Sequence, residues 1–334
     1  MTEKIDRRGM LRLAAGAGLM AASGSSVRAA SDAPIVLGGL NQSLTGIAIQ
    51  VMVNQKIDRK YGVAVEYRTY PTLDAVFNAL RGQQVDVTSG GWTATAQFRE
   101  KGFPLLMFFP IGRGNSLEVL VPKDSPYKTL ADLKGKRIGS YAGAAGTATV
   151  LMRVITRKYF GYDPADSGNL QFASNALLPT LMDKGDLAGA LMADPVCAKA
   201  LVSEKYRSIG NLPEIYTKEV GSEFFWIGYS TNEAFAKKNP ETLRSFTKAW
   251  VEAVAYVRAN PDVYDSYVKA LGFEGKLATF LRDRVNDDYT LQWDQARIDN
   301  MRQFAEFARS VMGPGYLDKF LPEAFTLDFV PKAT

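Results

Sequence analysis

Five short segments carry residues able to hold a small molecule without a metal or a cofactor: 40–45, 70–72, 88–93, 141–147 and 192–195. Each follows a β-like run, leads into a helix-like one, and is poor in charge. The candidate ligand residues on them are Gln42, Ser43, Tyr70, Thr72, Ser89, Gly90, Trp92, Thr93, Gly143, Ala144, Ala145, Thr147 and Asp194. Small residues let backbone N–H groups approach a ligand, and a helix N-terminus carries partial positive charge. The 143–147 loop therefore suits a carboxylate, a sulfonate or a similar anion. The same small residues would also serve a tight turn chosen for packing, with Thr147 as a plain N-cap. Gln42 and Ser43 would approach from the other side, or simply solvate their loop. Trp92, beside Ser89-Gly90-Gly91, reads either as an apolar ligand wall or as inter-helix packing. Asp194 before Pro195 reads as a helix cap or as an acceptor for a ligand N–H or hydroxyl. Tyr141 is a further candidate wall, and one of Phe224, Phe225 and Trp226 could turn into a cleft.

Catalysis is narrowed sharply by what the chain lacks. There is no histidine in 334 residues, which removes Ser-His-Asp and Cys-His catalysis, His-containing zinc sites and the commonest general base. One cysteine, Cys197, leaves no intrachain disulfide and no CxxC site. No GxxxxGK[ST] loop, GxSxG elbow or complete GxGxxG fingerprint is present. Asp287-Asp288 has no neighbouring base and reads as a solvated face. The expectation is a protein with no catalytic residue, no metal and no cofactor. Residues 1–29 hold five Lys/Arg and two acids, so the remainder carries 35 basic and 33 acidic residues and is near neutral. Nucleic-acid binding, which needs clustered cations, is not expected.

The elements that must position these loops alternate. Ile35–Leu40, a strand ending at Pro71, a helical stretch with Leu73, Val76, Phe77 and Leu80 on one face, and Val85-Asp86-Val87 follow one another. That order implies parallel sheets with crossover helices. It is echoed about one hundred residues later, where Lys158-Tyr159-Phe160-Gly161 matches Lys60-Tyr61-Gly62 and Gly185-Asp186 matches Gly82…Asp86. The expected class is α/β: two Rossmann-like lobes joined by a hinge, with a helical C-terminal segment. Lobe I would hold 34–115, lobe II 116–222, and 223–334 would return to lobe I, its last segment clasping that lobe. Leu243, Phe246, Trp250, Val254 and Val257 form an apolar stripe after Asn239-Pro240-Glu241. Two extended crossings, near 112–121 and 223–229, would serve as the hinge.

Residues 1–29 read as an address. Asp6-Arg7-Arg8-Gly9-Met10-Leu11-Arg12 precedes a weakly apolar stretch too short to span a bilayer, and Val27-Arg28-Ala29 offers a signal-peptidase site. The arginine pair resembles a twin-arginine signal, with a general secretory signal as the alternative. No cysteine lies near the cleavage point, so a periplasmic protein without a lipid anchor is expected.

Leu130-Ala131-Asp132-Leu133-Lys134-Gly135-Lys136-Arg137-Ile138-Gly139, the small-residue loop that follows it, Ala193-Asp194-Pro195 and Asn239-Pro240-Glu241 occur in an order that resembles a known family. This is the group of ABC-importer substrate-binding proteins for nitrate, sulfonates and thiamine precursors, the SsuA/NMT1-like proteins. The resemblance covers 34–330. It implies the type II periplasmic-binding-protein fold and capture of a small anionic organic solute, a sulfonate or carboxylate. The implied partners are a membrane-embedded ABC permease with its cytoplasmic ATPase, and the implied state is a monomer. Alanine at 193 departs from the tryptophan or tyrosine of many relatives, so no named subgroup supplies the ligand. Alternatives are a ligand sensor for a membrane receptor, or an exported enzyme on the same scaffold. Thiamine-pyrimidine synthases look similar in sequence but depend on histidine.

Overall fold

The computed structural model describes residues 34–273 and 276–332, so the 1–29 signal segment lies outside the described residues. Among the described residues ten strands form two five-stranded sheets. The first holds β1 (Ile35–Leu40), β2 (Val65–Tyr70), β3 (Val87–Gly91), β4 (Leu105–Gly112) and β10 (Ile227–Asn232), in the order β2-β1-β3-β10-β4. The second holds β5 (Glu118–Pro122), β6 (Ile138–Ser140), β7 (Leu170–Phe172), β8 (Gly189–Met192) and β9 (Tyr206–Asn211), in the order β7-β6-β8-β5-β9. The two orders are the same pattern, and the first three matched strands start at Ile35 and Ile138, Val65 and Leu170, Val87 and Gly189. The internal echo in the sequence is thus one lobe design used twice.

The sheets are mixed rather than parallel, which corrects the sequence expectation. β1 pairs in parallel with β2 and β3, but β10 runs antiparallel to both β3 and β4. β5 does the same between β8 and β9. Each exception is the strand by which the chain arrives from the other lobe, so it enters its sheet from the opposite end.

Four helices follow the strands of the first lobe: α1 (Leu44–Asn54), α2 (Ile57–Lys60), α3 (Leu73–Arg81) and α4 (Trp92–Glu100). The second lobe has α5 (Thr147–Phe160), α6 (Leu178–Asp183), α7 (Val196–Val202) and α8 (Leu212–Val220). Local chemistry sets several starts: the Thr72 hydroxyl accepts from Ala75 N–H at 3.3 Å to cap α3, whose Leu73, Val76, Phe77 and Leu80 are buried.

The C-terminal helices are α9 (Glu233–Lys238), α10 (Pro240–Ala259), α11 (Asp262–Ala270), α12 (Leu277–Asp288) and α13 (Gln295–Met312). The stripe on α10 is fully buried, with Phe246 and Trp250 edge-on to Tyr229 at 4.8 and 5.0 Å between ring centroids. This segment clasps more than the first lobe. α12 packs on α7 and α13 on α5, and Phe304 on α13 lies 5.4 Å from the ring of Tyr216 on α8. Helices from the end of the chain therefore touch both lobes. Among the described residues no helix is long and apolar enough to cross a membrane.

Candidate functional site

A cavity of about 30 Å³ lies between the lobes, and an outer one of about 130 Å³ adjoins it through Leu40, Gln42, Tyr141 and Asn175. The first lobe supplies Leu40, Gln42, Ser43, Leu44, Thr45, Leu73, Ser89 and Gly90 to the inner cavity, and the second supplies Tyr141, Asn175, Ala193 and Asp194. Trp226 and Ile227, where the chain re-enters the first lobe, close the floor. Nearly all of these follow the carboxyl ends of strands, where open α/β sheets bind ligands.

On the first lobe, Ser43 is the extended N-cap of α1, its hydroxyl accepting from Gly46 N–H at 3.4 Å. The first-turn N–H groups of a helix have no intrahelical acceptor, so Leu44 and Thr45 present donors and the positive end of the α1 dipole to the cavity. Three tyrosines pin this loop: Tyr67 donates to Leu40 O at 3.2 Å, Tyr267 to Ser43 O at 3.1 Å and Tyr289 to Leu44 O at 2.6 Å. Glycine is required at 39, because a Cβ there would stand 2.5 Å from the Tyr67 hydroxyl.

On the second lobe, Asn175 donates to Ala193 O at 2.8 Å and leaves its own Oδ1 unpartnered. Asp194 accepts from Ala198 N–H at 2.9 Å, capping α7, and pairs with Arg284 Nε at 2.8 Å. Arg284, on α12, also holds Glu118 Oε1 at 2.7 Å. Burial raises the Asp194 carboxyl above its ordinary value, with Arg284 acting in the other direction. One turn along α12, Asp288 accepts from Gly114 N–H at 2.5 Å and Asn115 N–H at 3.1 Å, where the chain crosses between lobes. Burial pushes Asp288 up to about 6 against those two bonds. Burial first, and the nearby Asp288 second, push the Tyr141 phenol well above its ordinary range. The Trp226 indole acts against that rise without reaching hydrogen-bond geometry.

The structure brings Gln42, Ser43, Ser89, Gly90 and Asp194 together on the inner cavity, with Tyr141 beside them. The other candidates stand elsewhere. Trp92 is fully buried; its indole N–H donates to Phe225 O at 2.9 Å and its ring packs edge-on against Phe304, Phe320 and Phe325. It is core, not cleft wall. The 143–147 loop docks the lobes to each other: Thr93 N–H donates to Thr147 Oγ1 at 3.1 Å, and Ala145 O accepts from Thr93 Oγ1 at 2.9 Å and from Gln97 at 3.2 Å. A Cβ on Gly143, which has φ +66°, would meet the Asp74 carboxylate of α3 at 3.0 Å, and one on Gly146 would clash with Ala142 O, so the loop is small both for its own turn and for its packing on α3. Ala144 is exposed, Thr72 caps α3, and Tyr70 lies half-buried at the end of β2. Arg113 pairs with Glu223 at 3.3 Å.

Sequence reasoning missed Asn175 and Arg284, and its reading of Asp287-Asp288 as a solvated face is corrected for Asp288, which is 1% exposed and holds the Gly114 and Asn115 N–H groups. Asn175 follows β7 as Pro71 and Thr72 follow β2, so the internal repeat could have found it. Nothing local marks Arg284, or the burial of Asp288. Among the described residues no group of His, Cys, Asp and Glu could hold a metal ion.

Comparison with known proteins agrees with this architecture. The taurine-binding periplasmic protein of Escherichia coli K12 is 23% identical over 206 residues, 62% of this chain and 61% of that protein. The 4-amino-5-hydroxymethyl-2-methylpyrimidine phosphate synthase THI11 of Saccharomyces cerevisiae is 27% identical over 188 residues, 53% of each. The matched region thus spans roughly half to three fifths of these curated relatives. The alkanesulfonate-binding protein SsuA of Xanthomonas axonopodis pv. citri, solved with MOPS, superposes with a TM-score of 0.73 at 16% identity, covering 88% of this chain and 98% of that one. The two mixed sheets with flanking helices are the periplasmic-binding-protein fold of that structure. The NMT1/THI5-like family model matches residues 59–263, more than half of the 334, and the chain belongs to that family.

Proposed function

We propose that this protein captures a small organic solute with an acidic group, a sulfonate or a carboxylate, and delivers it to an ABC importer. The observation that carries the reading is the interlobe cavity, with the α1 N-terminus on one wall and second-lobe side chains on the other. Such a ligand touches both lobes only when they are closed, so binding favours the closed form, which a permease can distinguish from the open one. The names of the E. coli and Xanthomonas relatives support this reading. The 1–29 segment supports export to a periplasm by the twin-arginine route, and the reading includes a monomeric, unanchored protein. The yeast synthase raises an enzymatic alternative, but this chain has no histidine. A panel of small sulfonates and carboxylates tests the proposal by thermal shift and calorimetry. A saturable shift with the solute recovered unchanged supports capture; conversion of the solute would establish an enzyme instead.

A further inference from the structure

The inner cavity, about 30 Å³, has room for roughly one water molecule. An organic acid is larger, so a captured solute must reach into the outer cavity of about 130 Å³. Leu40, Gln42, Tyr141 and Asn175 line both and form the neck between them. A third cavity, about 330 Å³, shares Gln42 and Ala176 with the second. Gln42 is the one residue common to all three linings. Lys199 and Lys205 line the largest against the Asp183 carboxylate, which already accepts from the Tyr206 hydroxyl, so an acidic solute is drawn there.

Elsewhere the boundary is held shut. Trp226 and Ile227 close the floor. Just beyond the lining residue Gly90, Thr93 bonds to Thr147 and to Ala145 O, and Gln97 donates to Ala145 O. Arg284 ties Asp194 back to α12. What is left is the neck, and three of its four residues are fixed. Asn175 donates to Ala193 O, Tyr141 is 4% exposed, and Leu40 O is held by the Tyr67 hydroxyl. Gln42 differs: it is half-buried, and no hydrogen bond among the described residues reaches its side-chain amide. Its loop is pinned at Leu40, Ser43 and Leu44 by three tyrosines, so the side chain is a free arm on a fixed pivot.

We infer that Gln42 is the gate of the inner cavity: its side chain swings aside to pass solute between the outer cavities and the inner one while the lobes stay docked through Thr93 and Thr147. This rests on the solute-capture reading and adds a route of exchange that needs no full opening of the lobes. A gate changes the barrier and not the end states, so removing its bulk speeds entry and exit together. Removing a mere ligand contact speeds exit alone.

The probes are 1-propanesulfonate and butanoate, followed by stopped-flow tryptophan fluorescence, because Trp226 lines the cavity. Gln42→Ala is expected to raise both the association and the release rate constants at least about threefold. Gln42→Met, of similar length, should remain at least about threefold slower than Gln42→Ala in both. Faster release with unchanged association would overturn the inference by making Gln42 a contact; equal rates for the two variants would overturn it by making bulk irrelevant. A second arm locks the lobes with Thr93→Cys and Thr147→Cys, at positions whose hydroxyls stand 3.0 Å apart, within reach of an oxidised disulfide. The oxidised protein is expected to keep exchanging probe. Exchange only after reduction would overturn the inference and leave solute capture standing. Should the disulfide not form, the rate constants decide. Binding of neither probe would overturn the acidic-solute reading together with the inference.

Discussion

Gly91→Ala is the substitution that reads lobe closure most cleanly. Gly91 ends β3 in the first lobe with φ −67° and ψ 136°, a conformation alanine adopts freely, so its own backbone is not strained. A Cβ there would stand 2.4 Å from Thr147 Oγ1, 2.9 Å from Thr147 N and 3.1 Å from Thr147 Cβ, all in the second lobe. Thr147 cannot swing aside, because it is 1% exposed and its hydroxyl is held by Thr93 N–H at 3.1 Å. The overlap with the hydroxyl is about 1 Å and falls across the interface, so the lobes themselves must separate. Overpacking of this size costs about 1–3 kcal/mol. If the cost falls on the closed form, solute affinity drops by roughly 5- to 150-fold. Calorimetry measures the affinity, and thermal unfolding without solute is the folding control. Adding Thr147→Ala removes the hydroxyl and should recover part of the loss, a coupling the double-mutant cycle reads directly. Unchanged affinity with a lowered Tm would refute the reasoning, making this contact a permanent joint rather than one formed on closure.

The charge cluster behind the cavity gives two more outcomes. Arg284→Gln leaves Asp194 and Glu118, 2% and 7% exposed, without their guanidinium; urea unfolding should show a loss of ~3 kcal/mol at pH 7. Asp288 has a folded value of about 6 against an ordinary 3.8, so the folded protein holds its proton more tightly than the unfolded chain does. Its contribution is fully present below the ordinary value and is lost as pH rises through the folded one, about 1 kcal/mol between pH 5 and 7; Asp288→Asn should abolish that slope in denaturant titrations. Trp92→Ala should cost about 3–5 kcal/mol in unfolding experiments; solute affinity measured well below its Tm should stay within about twofold, since the ring packs on Phe304, Phe320 and Phe325 rather than on the cavity.

Much of the architecture was legible because it is written in local patterns. The apolar spacing of Leu73, Val76, Phe77 and Leu80 marks a helix face, and the repeated loop-helix-strand order marks two lobes of one design. Strand direction is different in kind. Ile227–Asn232 has the same composition whether it runs with or against β3, and only the point of re-entry from the other lobe decides. The lining of the candidate cavity was legible where it follows from strand ends: Ser43, Ser89 and Asp194 all stand there. Trp92 was ambiguous because its packing partners lie more than two hundred residues further along the chain, and Ser89-Gly90-Gly91 alone fits a wall or a core. The 143–147 loop is small partly for its own turn, with Gly143 at φ +66° and Gly146 pressed against Ala142 O, and partly because Asp74 on α3 stands against Gly143. Arg284 meets Asp194 across 90 positions, and no local pattern announces such a pair.

Native mass spectrometry of the protein purified without dialysis tests the central claim most directly. The account predicts a one-to-one complex with a single small organic molecule that leaves intact, and unchanged, when the protein is unfolded. A bare protein mass that gains no adduct when the sulfonate and carboxylate panel is added, or an adduct released as a converted product, would contradict it.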